Sequence, residues 1–131
     1  MMITKFIFSP MTAIILVSMT LPGPAAALFD TCQDLEISFE NNRSEDVKVT
    51  KVEYYDYDAN KWRNERTWLG IRINPGDSKS RKRDLEHVRA DDTKIKFEWK
   101  YKLASGWSSI KTFEGPKFLC RNGGLVRFGI N

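Results

Sequence analysis

The sequence predicts a small all-β domain: an antiparallel β-sandwich of two sheets, seven or eight strands and one disulfide. Three observations carry the prediction. Apolar residues recur with period two along most of the chain beyond residue 34. Clusters of Asn, Asp, Gly, Pro and Ser interrupt that pattern about every ten residues, the spacing of short strands joined by turns. Two cysteines, Cys32 and Cys120, stand near the two ends of the patterned region.

The strands follow in order. Leu35, Ile37 and Phe39 alternate with Glu36 and Ser38, and Asn41-Asn42-Arg43-Ser44 forms a turn cluster. Val47 and Val49 restart the alternation; Val52 and Tyr54 continue it in the opposite phase. A one-residue slip turns every side chain to the other face, so a bulge near Thr50-Lys51 is needed to keep one inward face. Asp56 to Asn60 turns the chain. Trp62 and Trp68 then share one phase with Asn64 and Arg66, while Gly70 separates them from Ile71 and Ile73. Asn74-Pro75-Gly76-Asp77 is a strong turn signal.

Residues 78–88 are polar and weakly patterned, and residues 84–91 have room for one helical turn. Lys94 to Lys102 is the clearest strand. Ile95, Phe97, Trp99 and Tyr101 face one way; Lys94, Lys96, Glu98, Lys100 and Lys102 face the other. Ser105-Gly106 and Gly115-Pro116 bound the segment from Trp107 to Phe113. Phe118-Leu119-Cys120 is then expected to form a hairpin with Leu125 to Ile130 across Asn122-Gly123-Gly124. Such a chain buries its apolar faces as two packed sheets or a closed barrel, and the sandwich is the expected form. The immunoglobulin spacing is missing, since Cys32 precedes the first patterned strand and Trp62 follows it by thirty residues.

Residues 1–27 read as a secretory leader that is cleaved, leaving residues 28–131 as one domain. Lys5 supplies a positive start, Met11 to Val17 an apolar stretch, Pro22-Gly23-Pro24 a break, and Ala25-Ala26-Ala27 the small residues at a cleavage site. The rival is a retained anchor, but the apolar run falls short of the ~20 residues that span a bilayer. No transmembrane segment is therefore expected after cleavage, and the destination is periplasmic or secreted. An even cysteine count in an exported domain suggests a Cys32–Cys120 disulfide. Closing a loop of that length stabilises a fold by roughly 4 kcal/mol on the chain-entropy relation.

The whole chain has 21 Lys+Arg against 17 Asp+Glu. Cleavage removes one charge, Lys5. The remainder is polarised: residues 28–60 hold three basic and nine acidic groups, and residues 61–131 hold seventeen basic and eight acidic. The sharpest element is Lys79-Ser80-Arg81-Lys82-Arg83. It reads either as a site for an anionic partner or as an edge strand kept soluble by charge. The Lys row from Lys94 to Lys102 reads as the solvated face of a strand; beside residues 79–83 it would become an anion-binding patch. Nucleic acid is a poor partner, because export removes the usual target.

Catalytic patterns are scarce. His87 is the single histidine, with no nucleophile motif around it. Paired cysteines leave no thiol nucleophile, zinc would lack ligands, and no phosphate-cradling glycine loop is found. Two carboxylates alone can hydrolyse a glycoside, but a domain this small offers little cleft. No enzyme activity, cofactor or metal is expected. Asp56, Asp58 and Asn60 match the first ligand positions of a calcium loop, yet Lys61 stands where glycine is needed and Thr67 where glutamate is needed. An Asx-rich hairpin turn is the simpler reading. Asn42-Arg43-Ser44 matches the N-glycosylation triplet.

The Trp62, Asn64, Arg66 and Trp68 face suits a sugar ring or a protein hot spot; the competing reading is core packing. In the opposite phase Arg63, Glu65 and Thr67 are expected to look outward. The residues expected to make contact are thus Trp62, Asn64, Arg66, Trp68, Lys79, Arg81, Lys82 and Arg83. The expected function is an exported, non-catalytic recognition module for a glycan or other anionic surface component. The alternative is a small inhibitor or immunity-type protein that blocks a partner enzyme or toxin. A structural envelope component or a minimal glycosidase is the third class.

Overall fold

A computed structural model describes residues 30–66 and 70–131. The expected leader, residues 1–27, lies outside the described residues, as does Trp68. The strands are β1 (Cys32–Asn41), β2 (Val47–Asp56), β3 (Lys61–Asn64), β4 (Ile71–Ile73), β5 (Ser78–Leu85), β6 (Asp92–Thr93), β7 (Ile95–Leu103), β8 (Gly106–Trp107), β9 (Lys111–Glu114), β10 (Phe118–Leu119) and β11 (Leu125–Ile130). No α-helix occurs among the described residues.

Two sheets make the sandwich. The first has the order β11-β1-β5. In the second, β2 and β7 pair centrally; β3 and β4 share the free side of β2, and β8 and β9 share that of β7. β6 and β10 form a separate two-stranded ladder. The all-β sandwich therefore stands as the pattern predicts. Among the described residues the strand number rises to eleven, because both outer positions of the second sheet are split between short strands and β6 and β10 form a ladder of their own.

The core lies between the two inner faces. Phe39 of β1 meets Phe97 of β7 edge-on at 4.7 Å between ring centroids, and Phe128 of β11 lies 5.6 Å from Phe39 and 5.4 Å from Phe97. Such ring pairs add about 0.5–1.5 kcal/mol each beyond the area they bury. The bulge expected near Thr50-Lys51 is present as a register shift between Val49 and Lys51. It lets Val47, Val49, Val52 and Tyr54 all point inward, and all four are buried. Asn41 is buried beside them, and its Nδ2 donates to the Glu45 and Ile73 carbonyls at 2.8 and 3.0 Å.

Three segments differ from the sequence reading. The 118–130 hairpin does not form. The turn is made, with Gly124 N–H donating to the Arg121 carbonyl at 3.0 Å, but β1 captures it. Gly123 N–H donates to the Gln33 carbonyl at 2.9 Å, and Gln33 N–H to Asn122 Oδ1 at 2.8 Å. The chain then runs along β1 in parallel, from Glu36 opposite Leu125 to Asn41 opposite Ile130, while β10 pairs with β6. Residues 78–85 form a full strand although their pattern is weak. β5 is the sheet's edge, where Lys79 and Arg81 stand opposite Phe39 and Ile37 yet remain exposed. No helical turn occupies residues 84–91. His87 and Ala90 take positive φ (66° and 54°), a left-handed conformation incompatible with a right-handed turn.

The first strand also begins earlier than the alternation suggests. Cys32 pairs with Leu85, and a register break with Asp34 at φ 54° separates it from Leu35. Cys32 is bonded to Cys120, and both are buried. A disulfide of this kind belongs to an oxidising, extracytoplasmic environment.

Candidate functional site

The outer face of the second sheet gathers the aromatic and cationic side chains. Burial of Ile95 and Phe97 sends Lys96 and Glu98 of β7, and Lys94 just before it, to that face. On β2, inward Val52 and Tyr54 place Glu53 and Tyr55 there. β3 adds Trp62 opposite Tyr55 and Asn64 opposite Glu53.

Trp62 is half-buried on this face and is not a core residue. Its ring lies 5.0 Å from Tyr55, which meets Tyr57 at 4.7 Å. Lys96 Nζ sits 4.1 Å from the centre of the Trp62 ring and 3.3 Å from Glu53. Lys94 Nζ lies 5.3 Å from Trp62 and 5.1 Å from Tyr55, and it contacts Glu114 at 2.6 Å. The Glu114 carboxylate is the main reason that the Lys94 pKa rises, and Lys94 in turn lowers that of Glu114. Both groups therefore stay charged at neutral pH. Exposed cation–π contacts of this kind contribute about 0.5–1 kcal/mol each.

Of the expected Trp62–Trp68 platform, Trp62 and Asn64 lie on this face, and Trp68 lies outside the described residues. Asn64 is exposed and ends β3, and Arg66 is exposed beyond the strand. Just past β3, Glu65 N–H still donates to the Val52 carbonyl at 2.8 Å, and its side chain reaches Arg83 Nε at 3.7 Å. Arg63 and Glu65 do not look outward as expected. Arg63 turns to Asp56 across the end of the sandwich, with Nη2 and Nε 2.7 and 2.9 Å from Oδ2. Tyr54, of the adjacent tyrosine pair, is the inward one; its hydroxyl accepts Glu86 N–H at 3.1 Å, and burial raises its pKa.

The basic run belongs to the other sheet. Along β5 the alternation sends Lys79, Arg81 and Arg83 to one side and Lys82, opposite Glu36, to the other. Lys79, Arg81 and Lys82 are exposed, whereas Arg83 is half-buried beside Glu65. β5 shares a sheet with β1 and β11, not with β7. The run and the Lys94–Lys102 row therefore do not merge into one face.

Sequence reading missed a second cluster on the same face. Trp107 of β8 has Lys48 Nζ at 4.6 Å, Arg72 Cζ at 5.5 Å and Lys102 Nζ at 5.5 Å from its ring centre. Each residue lies in a different short segment, and only strand register brings them together. The signals available were the outward phase of Lys48 between two inward valines and that of Lys102 in the lysine row.

The remaining cavities are shallow. Two of about 260 and 370 Å³ share Asp56, Asp58 and His87 at the end of the sandwich. Asp56 is engaged there as a turn cap: Oδ1 accepts Asp58 and Ala59 N–H at 3.1 Å each. Burial pushes its pKa up, but the Ala59 and Asp58 amides and the Arg63 guanidinium prevail and hold it below the usual carboxylate range. The D-x-D-x-N triplet is thus an Asx-capped hairpin turn. No group of three or more His, Cys, Asp or Glu among the described residues is arranged to hold a metal ion. An apolar pocket of about 210 Å³ opens between β9 and β11, bordered by Phe113, Pro116 and Phe128. Comparison with protein-family models, curated proteins and solved structures finds no match for this chain.

Proposed function

We propose that the protein is an exported, non-catalytic recognition module that binds an anionic glycan through the outer face of its second sheet. In this reading residues 1–27 direct export and are removed, and the oxidised domain works in the periplasm or outside the cell. The Trp62 cluster carries the reading. An indole and two phenols lie side by side, and Lys94 and Lys96 are held against them. Aromatic faces take the apolar faces of sugar rings, while the ammonium groups take carboxylate or ester anions. Long-range charge steers the encounter and the rings slow release.

The test is binding of the oxidised protein to heparin and to neutral dextran across a salt titration, with Trp62→Ala as the variant. Heparin binding that weakens steeply with salt, absence of dextran binding, and a loss of about tenfold or more with Trp62→Ala at unchanged melting temperature support the reading. Equal binding of both polymers, or no effect of Trp62→Ala, overturns it. The inhibitor-type alternative draws on one observation: Phe113, 45% exposed, borders the apolar pocket between β9 and β11. It predicts retention of one protein partner that survives high salt and is lost with Phe113→Ser.

A further inference from the structure

We infer that Arg72, Lys48 and Lys100, together with Lys102 and Trp107, form a separate subsite for the sulfate or phosphate esters of a glycan chain. Register is the first argument. Lys48 of β2 is the direct partner of Arg72 on β4 and of Lys100 on β7, so three cations form one row across three strands. Phase puts all three outside. Val47 and Val49 on either side of Lys48 are buried; Ile71 and Ile73 beside Arg72, and Trp99 and Tyr101 beside Lys100, pack on the core. Side chains directly opposite each other lie about 4.5–5.5 Å apart at Cβ, and like charges in that position oppose sheet formation.

Charge compensation is also missing from the lysines of this row. At the Trp62 end of the face the lysines have partners: Glu53 lies 3.2 Å from Lys51 and 3.3 Å from Lys96, and Glu114 contacts Lys94. At this end only Arg72 has one, in Asp46. Among the described residues no carboxylate lies within ion-pair distance of Lys48, Lys100 or Lys102. Trp107 draws three of the cations together without neutralising them. It is itself fixed in place. Ser108 N–H donates to the Tyr101 carbonyl at 2.8 Å, and Ser108 Oγ accepts Tyr101 N–H at 3.0 Å.

A row of cations in which Arg72 alone has a carboxylate partner, while the ammonium groups of Lys48, Lys100 and Lys102 have none, is preorganised for a multiply charged oxyanion. The excess is confined to one row, which suits successive esters of a single chain lying across the strands. A bilayer would meet the neutralised end equally. Lys100 and Lys96 are four residues apart on β7, about 13 Å at strand rise, so a chain of several sugars reaches both clusters. The cation row stands on its own observations, while a glycan as its ligand rests on the proposed function.

The test titrates the oxidised protein with a heparin hexasaccharide by calorimetry over a range of salt. The variants are Lys48→Gln/Lys100→Gln and, separately, Trp62→Ala. The subsite predicts that the double lysine variant loses about tenfold or more in affinity and that its salt dependence drops by about two released counterions. It also predicts that sodium sulfate raises the wild-type melting temperature more than that of the double variant. Unchanged affinity and salt slope in the folded double variant overturn the inference, as does binding to phosphatidylglycerol vesicles without binding to the hexasaccharide. A loss with the lysine variant but not with Trp62→Ala supports the subsite and refutes the Trp62 reading. The reverse pattern refutes the subsite alone.

Discussion

Removing the Cys32–Cys120 bond tests how much of this fold depends on a single covalent closure. The bonded residues are 88 positions apart, so the bridge closes most of the domain. For a loop of that length the chain-entropy relation gives about −15 cal/mol/K, or ~4.6 kcal/mol at 25 °C. Deleting two fully buried sulfurs, which leaves only the Cβ methyls of alanine, adds about 1 kcal/mol of lost packing. A Cys32→Ala/Cys120→Ala variant is therefore expected to lose about 4–6 kcal/mol. Domains of this size have total stabilities of only about 5–15 kcal/mol. With an unfolding entropy of about 0.2 kcal/mol/K for a hundred residues, the melting temperature falls by roughly 20–30 °C.

The assay is urea unfolding followed by tryptophan fluorescence, comparing oxidised protein, reduced protein and the variant. The denaturant slope should rise as the midpoint falls, because an open unfolded chain exposes more surface. Amide exchange should show the β6–β10 ladder loosening first. Cys120 holds it through Ala90 N–H to its carbonyl and its own N–H to Asp91, both at 2.9 Å. A loss below about 2 kcal/mol with an unchanged slope would refute the reasoning, because the unfolded chain would then already be compact without the bridge.

Two further perturbations address single contacts. Asp56→Asn removes the acceptor of the Arg63 fork; with Asp56 2% and Arg63 24% exposed, the expected loss at pH 7 is about 2–3 kcal/mol, read by urea unfolding. The depressed pKa of Asp56 means that its contribution is present above the unfolded value near 3.9 and disappears as pH falls through the lower folded value. The wild type should thus lose stability more steeply than Asp56→Asn below about pH 4; identical acid limbs would contradict that sign. Gly115→Ala places a methyl 2.8 Å from the Phe128 ring and 3.2 Å from the Ile95 carbonyl. It should cost about 1–3 kcal/mol by thermal melting, and a neutral result would mean that Phe128 shifts freely.

Local pattern made much of the sandwich legible. The β7 alternation from Ile95 to Tyr101 and the phase change at Thr50-Lys51 each mark which side chains a sheet must bury, and burial requires few alternatives. The failures share a different cause. β5 carries little pattern because an edge strand buries only part of one face, and the Asn122-Gly123-Gly124 turn fits a hairpin as well as it fits docking on Gln33. Nothing local distinguishes those outcomes.

The same division runs through the candidate site. From the sequence come an aromatic and basic surface, a pair of cysteines suited to an oxidising compartment, and Trp62 as a residue of interest, since composition and period are properties of the chain itself. Which charges meet is decided elsewhere. Lys79 to Arg83 stand out as a run but alternate along a strand of the first sheet, whereas Arg72, Lys48 and Lys100 are scattered in sequence and adjacent in space. Strand register is a non-local choice, fixed by the fit of the whole core, and it alone placed three cations in one row beside Trp107.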